Sequence, residues 1–264
     1  MTGIFKSIWN FRFFIYSSIN GEIKRRFARS SLGALWFILH PLLQATIFTL
    51  VLAEVLSTRL PGVNSKVGYA IYLMSGMAAW ALFSEIANRC TNVFLEYASV
   101  LKKITFPRLC LPIIVGGSAL LNHFLLVLAT TLVFLFFGHP PSAVWLLLPI
   151  GTLIIIIFAF GLGVTLGVLN VFFRDVGQVF GVVIQLWFWL TPIIYTKEAL
   201  PKNLVWLVDL NPLSPLVKFY QDIMLYGRIP DWSSLIQPII VSTFLFIFSF
   251  VVFRRAGADL VDEL

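Results

Sequence analysis

The chain has 264 residues, 59% of them hydrophobic and only 12% charged, with a mean hydropathy of +0.93, a net charge of +7 and a pI near 9.6. Soluble domains run at about 45–50% apolar and about 25% charged, so this chain has too few charges to coat a water-facing exterior. An ordinary soluble enzyme, a disordered chain and a nucleic-acid module are excluded; an integral membrane protein remains, and at about 20 apolar residues per spanning helix the length holds six spans and no large soluble domain.

The chain is expected to open on a surface helix rather than a signal peptide. Ile4, Ile8, Phe11, Ile15 and Ile19 recur at steps of three and four, which makes one apolar helix face. Trp9, Phe13, Phe14 and Tyr16 add interfacial aromatics. Residues 4–20 are expected to lie in the membrane surface; the alternative is a helix packed on protein. The cluster Lys24, Arg25, Arg26 and Arg29 follows the apolar stretch, the reverse of a signal-peptide layout.

Six apolar segments follow, at 32–56, 67–86, 109–137, 144–172, 176–195 and 235–253. Thirteen of the nineteen Lys and Arg fall in the N-terminal segment, the loops after the second and fourth spans, and the tail. Basic residues accumulate on the cytoplasmic side, so both termini are expected inside. Cys90 and Cys110 then sit near cytoplasmic edges, where disulfides are disfavoured, and read as free thiols.

Residues 196–234 are too apolar for a loose loop. Two short helical stretches, 200–208 and 213–226, flank Asn211-Pro212, and each is too short to cross a bilayer. They read as re-entrant or cap helices on the external side, where backbone breaks are tolerated only against protein or a water-filled cavity. The predicted fold class is thus an all-α integral membrane protein, a single transmembrane domain. It has six transmembrane helices, an N-terminal amphipathic interface helix and short re-entrant or cap helices between spans five and six.

No catalytic or metal constellation is visible. His40, His123 and His139 are scattered, and neither a His-Glu-x-x-His nor a G-x-S-x-G pattern occurs. A G-x-x-x-x-G-K-[ST] phosphate loop is missing, so ATP-driven work requires ATP bound on another subunit. No cofactor or metal is expected on this chain.

Polar groups inside spans mark function or helix contacts. His40-Pro41 in span one offers a kink and either a pore-lining or a helix-bonded histidine, and Asn122 and His123 carry the same two readings in span three. Glu54 and Glu85 are placed near span ends, within reach of water. Gly163-x-x-x-Gly167 and Gly177-x-x-x-Gly181 flank the 170–175 turn and imply tight packing of spans four and five. Trp187, Phe188, Trp189 and Tyr195 cluster in the outer half of span five. They form either faces for sugar C–H groups or an interfacial belt. Asn92 to Ile104 is amphipathic and followed by Thr105-Phe106-Pro107-Arg108, a short helix suited to a partner's groove.

Six stretches in order resemble the permease subunits of ABC-type polysaccharide exporters: Arg29-Ser30-Ser31-Leu32-Gly33-Ala34-Leu35-Trp36 with His40-Pro41; Tyr69 to Gly76 ending at Trp80; Leu101 to Arg108; Phe173-Arg174-Asp175-Val176; Thr191-Pro192-Ile193-Ile194-Tyr195; and Leu210-Asn211-Pro212-Leu213-Ser214-Pro215. The likeness covers about 25–226. Ala79 stands where many relatives have Pro, and His40 where an amide or small polar residue is expected.

The resemblance implies a homodimer with two copies of an ATP-binding cassette subunit carrying ATP and Mg, in the bacterial inner membrane. It implies a lipid-linked polysaccharide cargo of O-antigen, capsular or teichoic acid type, O-antigen first. The 92–104 segment becomes a coupling helix, with Asn92, Glu96, Lys102, Lys103, Phe106, Pro107 and Arg108 facing the ATPase. The 196–234 segment becomes an external gate region, with Trp187, Trp189, Tyr195, Asn211, Pro212, Pro215 and His40 along the channel or gate. Lys24, Arg25, Arg26 and Arg29 become contacts for a lipid diphosphate or for membrane lipids. Two alternatives stand beside this reading: an ABC permease for drugs or small lipids, and an intramembrane enzyme on a lipid-linked sugar, for which no acid, base or metal site is visible.

Overall fold

The computed structural model describes residues 9–28, 66–103 and 106–256, with the isolated residues 39, 43, 260 and 263. Span one with His40, the start of the N-terminal helix, Glu54 and Arg29 lie outside the described residues. The elements are α1 (Arg12–Ala28), α2 (Lys66–Glu96), α3 (Ala98–Lys103), α4 (Cys110–Phe136), α5 (Leu148–Phe172), α6 (Asp175–Leu190), α7 (Val205–Leu210), α8 (Leu213–Met224) and α9 (Ile236–Ala256). No strand occurs among the described residues. Among the described residues, four helical stretches are long and apolar enough to cross a membrane: Val67–Glu96, Cys110–Phe136, Ala143–Phe172 and Trp232–Ala256.

α2 is the axis of the bundle. Its most apolar window is 67% buried within the protein, against 22% for the last helix. α5 packs between α2 and α9, α4 lies along α2, α8 wedges against α2 and α5, and α1 rests on α4. Tyr69, Leu73, Phe83, Ile86 and Phe94 of α2 are fully buried, together with Phe158 of α5 and Phe219 and Tyr220 of α8.

The glycine pairs divide: Gly177 keeps the expected close contact of spans four and five, since a Cβ there would lie 2.9 Å from Asn170 Nδ2 on α5, while the first pair faces another helix. A Cβ on Gly167 would sit 2.4 Å from the Cys90 carbonyl, and one on Gly163 would meet Cys90 and Ala87. The first pair therefore seats α5 on α2, not on span five. Small-residue spacing announces a close approach but not the partner. Gly181 has open space around it.

Three other expectations change. The apolar face of α1 packs on protein: Ile15 is buried with Cys110 and Ile114, and Phe11 and Ile19 lean on the same cluster. Trp9, Phe13 and Tyr16 stay exposed. The helix also runs on to Ala28, so Lys24 to Arg26 lie within it. The 92–104 helix is not separate: α2 continues through Glu96, and the bonds Tyr97 N–H to Val93 O (3.1 Å) and Leu101 N–H to Tyr97 O (2.9 Å) carry the path into α3. Span five stops short as a helix. α6 has 16 residues, about 24 Å at 1.5 Å per residue, and Pro192 drives Thr191 out of helical conformation to ψ 133.

Two glycines close helices where a side chain would strain. Gly138 after α4 has φ 75 and Gly227 after α8 has φ 58, left-handed values that glycine adopts without Cβ clash.

Gly167→Ala is expected to destabilise by about 1–3 kcal/mol, the usual range for overpacking, while Gly181→Ala leaves stability unchanged or slightly raised. Thermal unfolding of the two variants in one detergent, followed by size-exclusion, separates these outcomes. Equal midpoints would overturn the α2–α5 contact.

Candidate functional site

Two polar clusters stand at opposite ends of α2, and between them α6 shows an uncovered face. At the Lys66 end, the chain unwinds after α6 over 191–195. Backbone groups freed from a helix in apolar surroundings must be paired. Tyr69 and Tyr72, one turn apart on α2, do this: the Tyr69 hydroxyl donates to Ile194 O at 2.9 Å, and that of Tyr72 to Tyr195 O at 2.9 Å and Pro192 O at 3.3 Å. Gln221 Nε2 donates to Pro192 O at 3.3 Å.

α8, expected as a cap, is buried almost all round; Lys218 is its exposed residue and Pro215 is half-buried. Its anchors are polar. The Tyr220 hydroxyl lies 3.0 Å from His123 Nε2 and 2.6 Å from Thr152 Oγ1. His139 Nε2 lies 2.9 Å from Met224 O. The buried Asp222 accepts from Arg228 Nη2 at 2.6 Å and Nε at 2.9 Å. Gln237 Nε2 donates to Asp209 O and Leu210 O, both at 3.1 Å, and ties α7 to the start of the last helix. Lys197 pairs with Asp209. Burial pushes the Tyr226 phenol up, against the pull of Arg228. The hydroxyl and backbone N–H of Ser233 hold the exposed Asp231 carboxyl below its ordinary range.

The channel and gate candidates fall into three settings. Trp187 is half-buried between Phe83 and Phe158, with ring centroids at 5.3 and 6.2 Å. Its Nε1 donates to Asn211 Oδ1 at 2.9 Å. Asn211 also accepts from Leu213 N–H at 3.0 Å and donates to Thr191 Oγ1 at 3.0 Å, pinning the turn that Pro212 opens into α8. Tyr195 is half-buried and donates to Trp189 O at 2.8 Å. Trp189 is 59% exposed. Gln178, Val182, Gln185 and Trp189 fall within one stripe of α6 at helical spacing, and all four are exposed. The two glutamines belong to no motif, although amides in an apolar helix are themselves a signal.

At the other end, Asn170 donates to Thr91 O at 3.0 Å and Asn92 Oδ1 at 3.3 Å, and accepts from Gly177 N–H at 2.8 Å. This fixes the elbow between α5 and α6 on α2. Glu85, expected to reach water, instead accepts from Asn122 Nδ2 at 2.6 Å and lies 3.4 Å from Arg89 Nη1. Arg89 Nη2 donates to Glu22 Oε2 at 2.7 Å, joining α1 to α2. Glu96, Lys102 and Lys103 are exposed. Phe106 packs on Phe14 at 5.5 Å. Pro107 O and Arg108 O accept the first amides of α4, from Cys110 at 2.8 Å and Leu111 at 3.1 Å. Lys24 is exposed in α1. Cys90 and Cys110 are both free and buried.

The geometry is a bundle of long apolar helices with a buried helix too short to span and a broken fifth segment. A family model described as ABC-2 type transporter matches residues 14–225. The chain belongs to the ABC-2 type transporter family. It is a multi-pass membrane protein, and membership implies an ABC ATPase partner. A protein of Klebsiella pneumoniae named O-antigen export system permease protein RfbA is 31% identical over 217 residues, 80% of this chain and 79% of the relative. A protein of the same name from Myxococcus xanthus is 26% identical over 266 residues and the full length of both chains. The polysialic acid transport protein KpsM of Escherichia coli is 23% identical over 223 residues, 81% of this chain and 82% of the relative.

Tyr220→Phe in this ABC-2 chain leaves His123 Nε2 without its partner, and is expected to cost about 1–3 kcal/mol, the range for orphaning a buried polar group. Thermal unfolding in nanodiscs checks it; a midpoint equal to that of the unaltered chain would show that the His123–Tyr220–Thr152 chain holds nothing.

Proposed function

We propose that the chain is the conduit-forming subunit of an ATP-driven exporter that moves a lipid-linked polysaccharide, of O-antigen type, across the bacterial inner membrane. The observation that carries the reading is the exposed α6 stripe of Gln178, Gln185 and Trp189. A glycan cannot dissolve in hydrocarbon, since each unbonded hydroxyl costs several kcal/mol. Amides and an indole on an otherwise apolar face offer hydrogen bonds and a stacking surface without a deep trap. The relatives named for O-antigen export support the same cargo.

In this reading the chain follows a six-span plan, both termini are cytoplasmic, and the chain works as a homodimer with two ATPase subunits. α6 buries only Phe180 and Ile184, and its open side is assigned to the meeting of the two copies. ATP and Mg sit on the partner; this chain binds no cofactor or metal. The basic residues Lys24, Arg25, Arg26 and Arg29 meet the lipid diphosphate or the membrane surface. α3, reached by a continuous helical path from α2, receives the push of the ATPase through Glu96, Lys102 and Lys103. His40, Tyr195 and the 211–215 turn belong to the channel and its gate.

Deleting the gene is expected to trap polymer inside the cell, with surface display restored by this chain together with its ATPase, as read by surface and whole-cell glycan staining. Normal surface polymer together with a changed drug sensitivity would move the assignment to a permease for drugs or small lipids. Reversing charge with K102E/K103E is expected to cut surface display at least tenfold while the amount and elution of the chain stay unchanged, because both side chains are exposed. Undiminished display would remove the coupling role.

A further inference from the structure

A cavity of about 630 Å³ opens between the 191–198 turn, α7, α8 and the Trp232–Leu235 turn. It is separate from the α6 stripe and falls within the usual size of small-molecule sites. Two hydroxyls on its wall, Thr196 Oγ1 and Ser214 Oγ, are buried and find no hydrogen-bond partner among the described residues. Their side chains belong to residues only 9% and 6% exposed. Buried hydroxyls are nearly always paired, and each one left alone lowers stability, so this pair points to an occupant.

The charge on the wall says what kind. Lys197, Lys218 and Arg228 face Glu198, Asp209 and Asp222, so the wall carries no net charge. Lys197 pairs with Asp209 and Arg228 with Asp222. An anion such as a phosphate or a uronate meets as much repulsion as attraction there. The Tyr72 ring, Pro192 and Pro215 add apolar wall beside the hydroxyls. A wall of alternating donors, acceptors and flat apolar pieces with no net charge fits a neutral polyhydroxylated ligand.

We propose that this cavity is a binding subsite for a neutral saccharide segment, held by Thr196 and Ser214 at the Lys66 end of the protein. This rests on the polysaccharide reading and adds a second holding point to it, beyond the α6 stripe. A segment seated there restrains the polymer from sliding back between strokes.

The test uses the chain with its ATPase in nanodiscs. The probe is neutral oligosaccharides of two to six sugars, released from the host's own surface polysaccharide. A Ser214→Cys substitution adds one thiol to a chain whose own cysteines are buried. Its reaction with methyl methanethiosulfonate is expected to slow at least fivefold with the oligosaccharides and to be unaffected by inorganic phosphate. By saturation-transfer NMR titration, T196V/S214A is expected to weaken oligosaccharide binding about tenfold. Lack of protection, or equal affinity in T196V/S214A, means that water alone fills the cavity and overturns the proposal. Surface glycan is scored in the same strains. Normal export without protection removes the subsite and leaves the transport reading standing. Surface display that survives deletion of the gene removes the transport reading, and the protection result still decides the cavity.

Discussion

The structure depends on how it pairs the backbone that Thr191-Pro192 releases. Proline bars its predecessor from helical conformation, so the carbonyls of Pro192, Ile194 and Tyr195 have no helical amides to accept from. Tyr69, Tyr72 and Gln221 supply the donors. Each donor lies on a helix that must then sit close by. The two tyrosines draw the end of α2 against the break, and Gln221 draws α8 inward. Gly76 permits that contact, since a Cβ there would lie 2.9 Å from Gln221 Nε2. Burying α8 then requires partners for its own polar groups, which His123, Thr152, His139 and Arg228 provide.

Much of the helical plan was legible because apolar length is a local property. Segments expected at 109–137 and 235–253 end within a few residues of α4 and α9, and the one at 144–172 matches α5 with the 3-10 turn Ala143–Leu147 before it. Proline and glycine at the borders made those ends visible. The span expected to close at Ile86 runs ten residues further, through the polar Asn88, Arg89 and Asn92 that end the apolar run in sequence. In the structure they are helical: Asn88 donates to Ser84 O one turn back, while Arg89 and Asn92 meet Glu22 and Asn170, far along the chain. No window of sequence contains both halves of such a pair.

The site was legible in its punctuation and not in its burial. Asn211-Pro212 marked the entry to α8, and the aromatic run marked the end of α6. Whether an aromatic faces a core or a passage depends on what lies opposite. Trp187 found Phe83 and Phe158, while Trp189, two residues on, meets only the edge of its neighbour Phe188 and stays 59% exposed. Likewise Leu213, Leu216, Val217 and Tyr220 recur at helical spacing, but the buried Asp222 opposite them became visible only with Arg228 beside it.

The continuity of α2 has a mechanical corollary. Thirty-one residues make a rod of about 46 Å, with Tyr69 near one tip and the bend to α3 at the other. Gly163 and Gly167 key it to α5 too closely for either helix to slip by a turn. A displacement applied at one tip is therefore delivered to the other without being absorbed along the way, and the two tyrosines transmit it directly to the unwound backbone they hold.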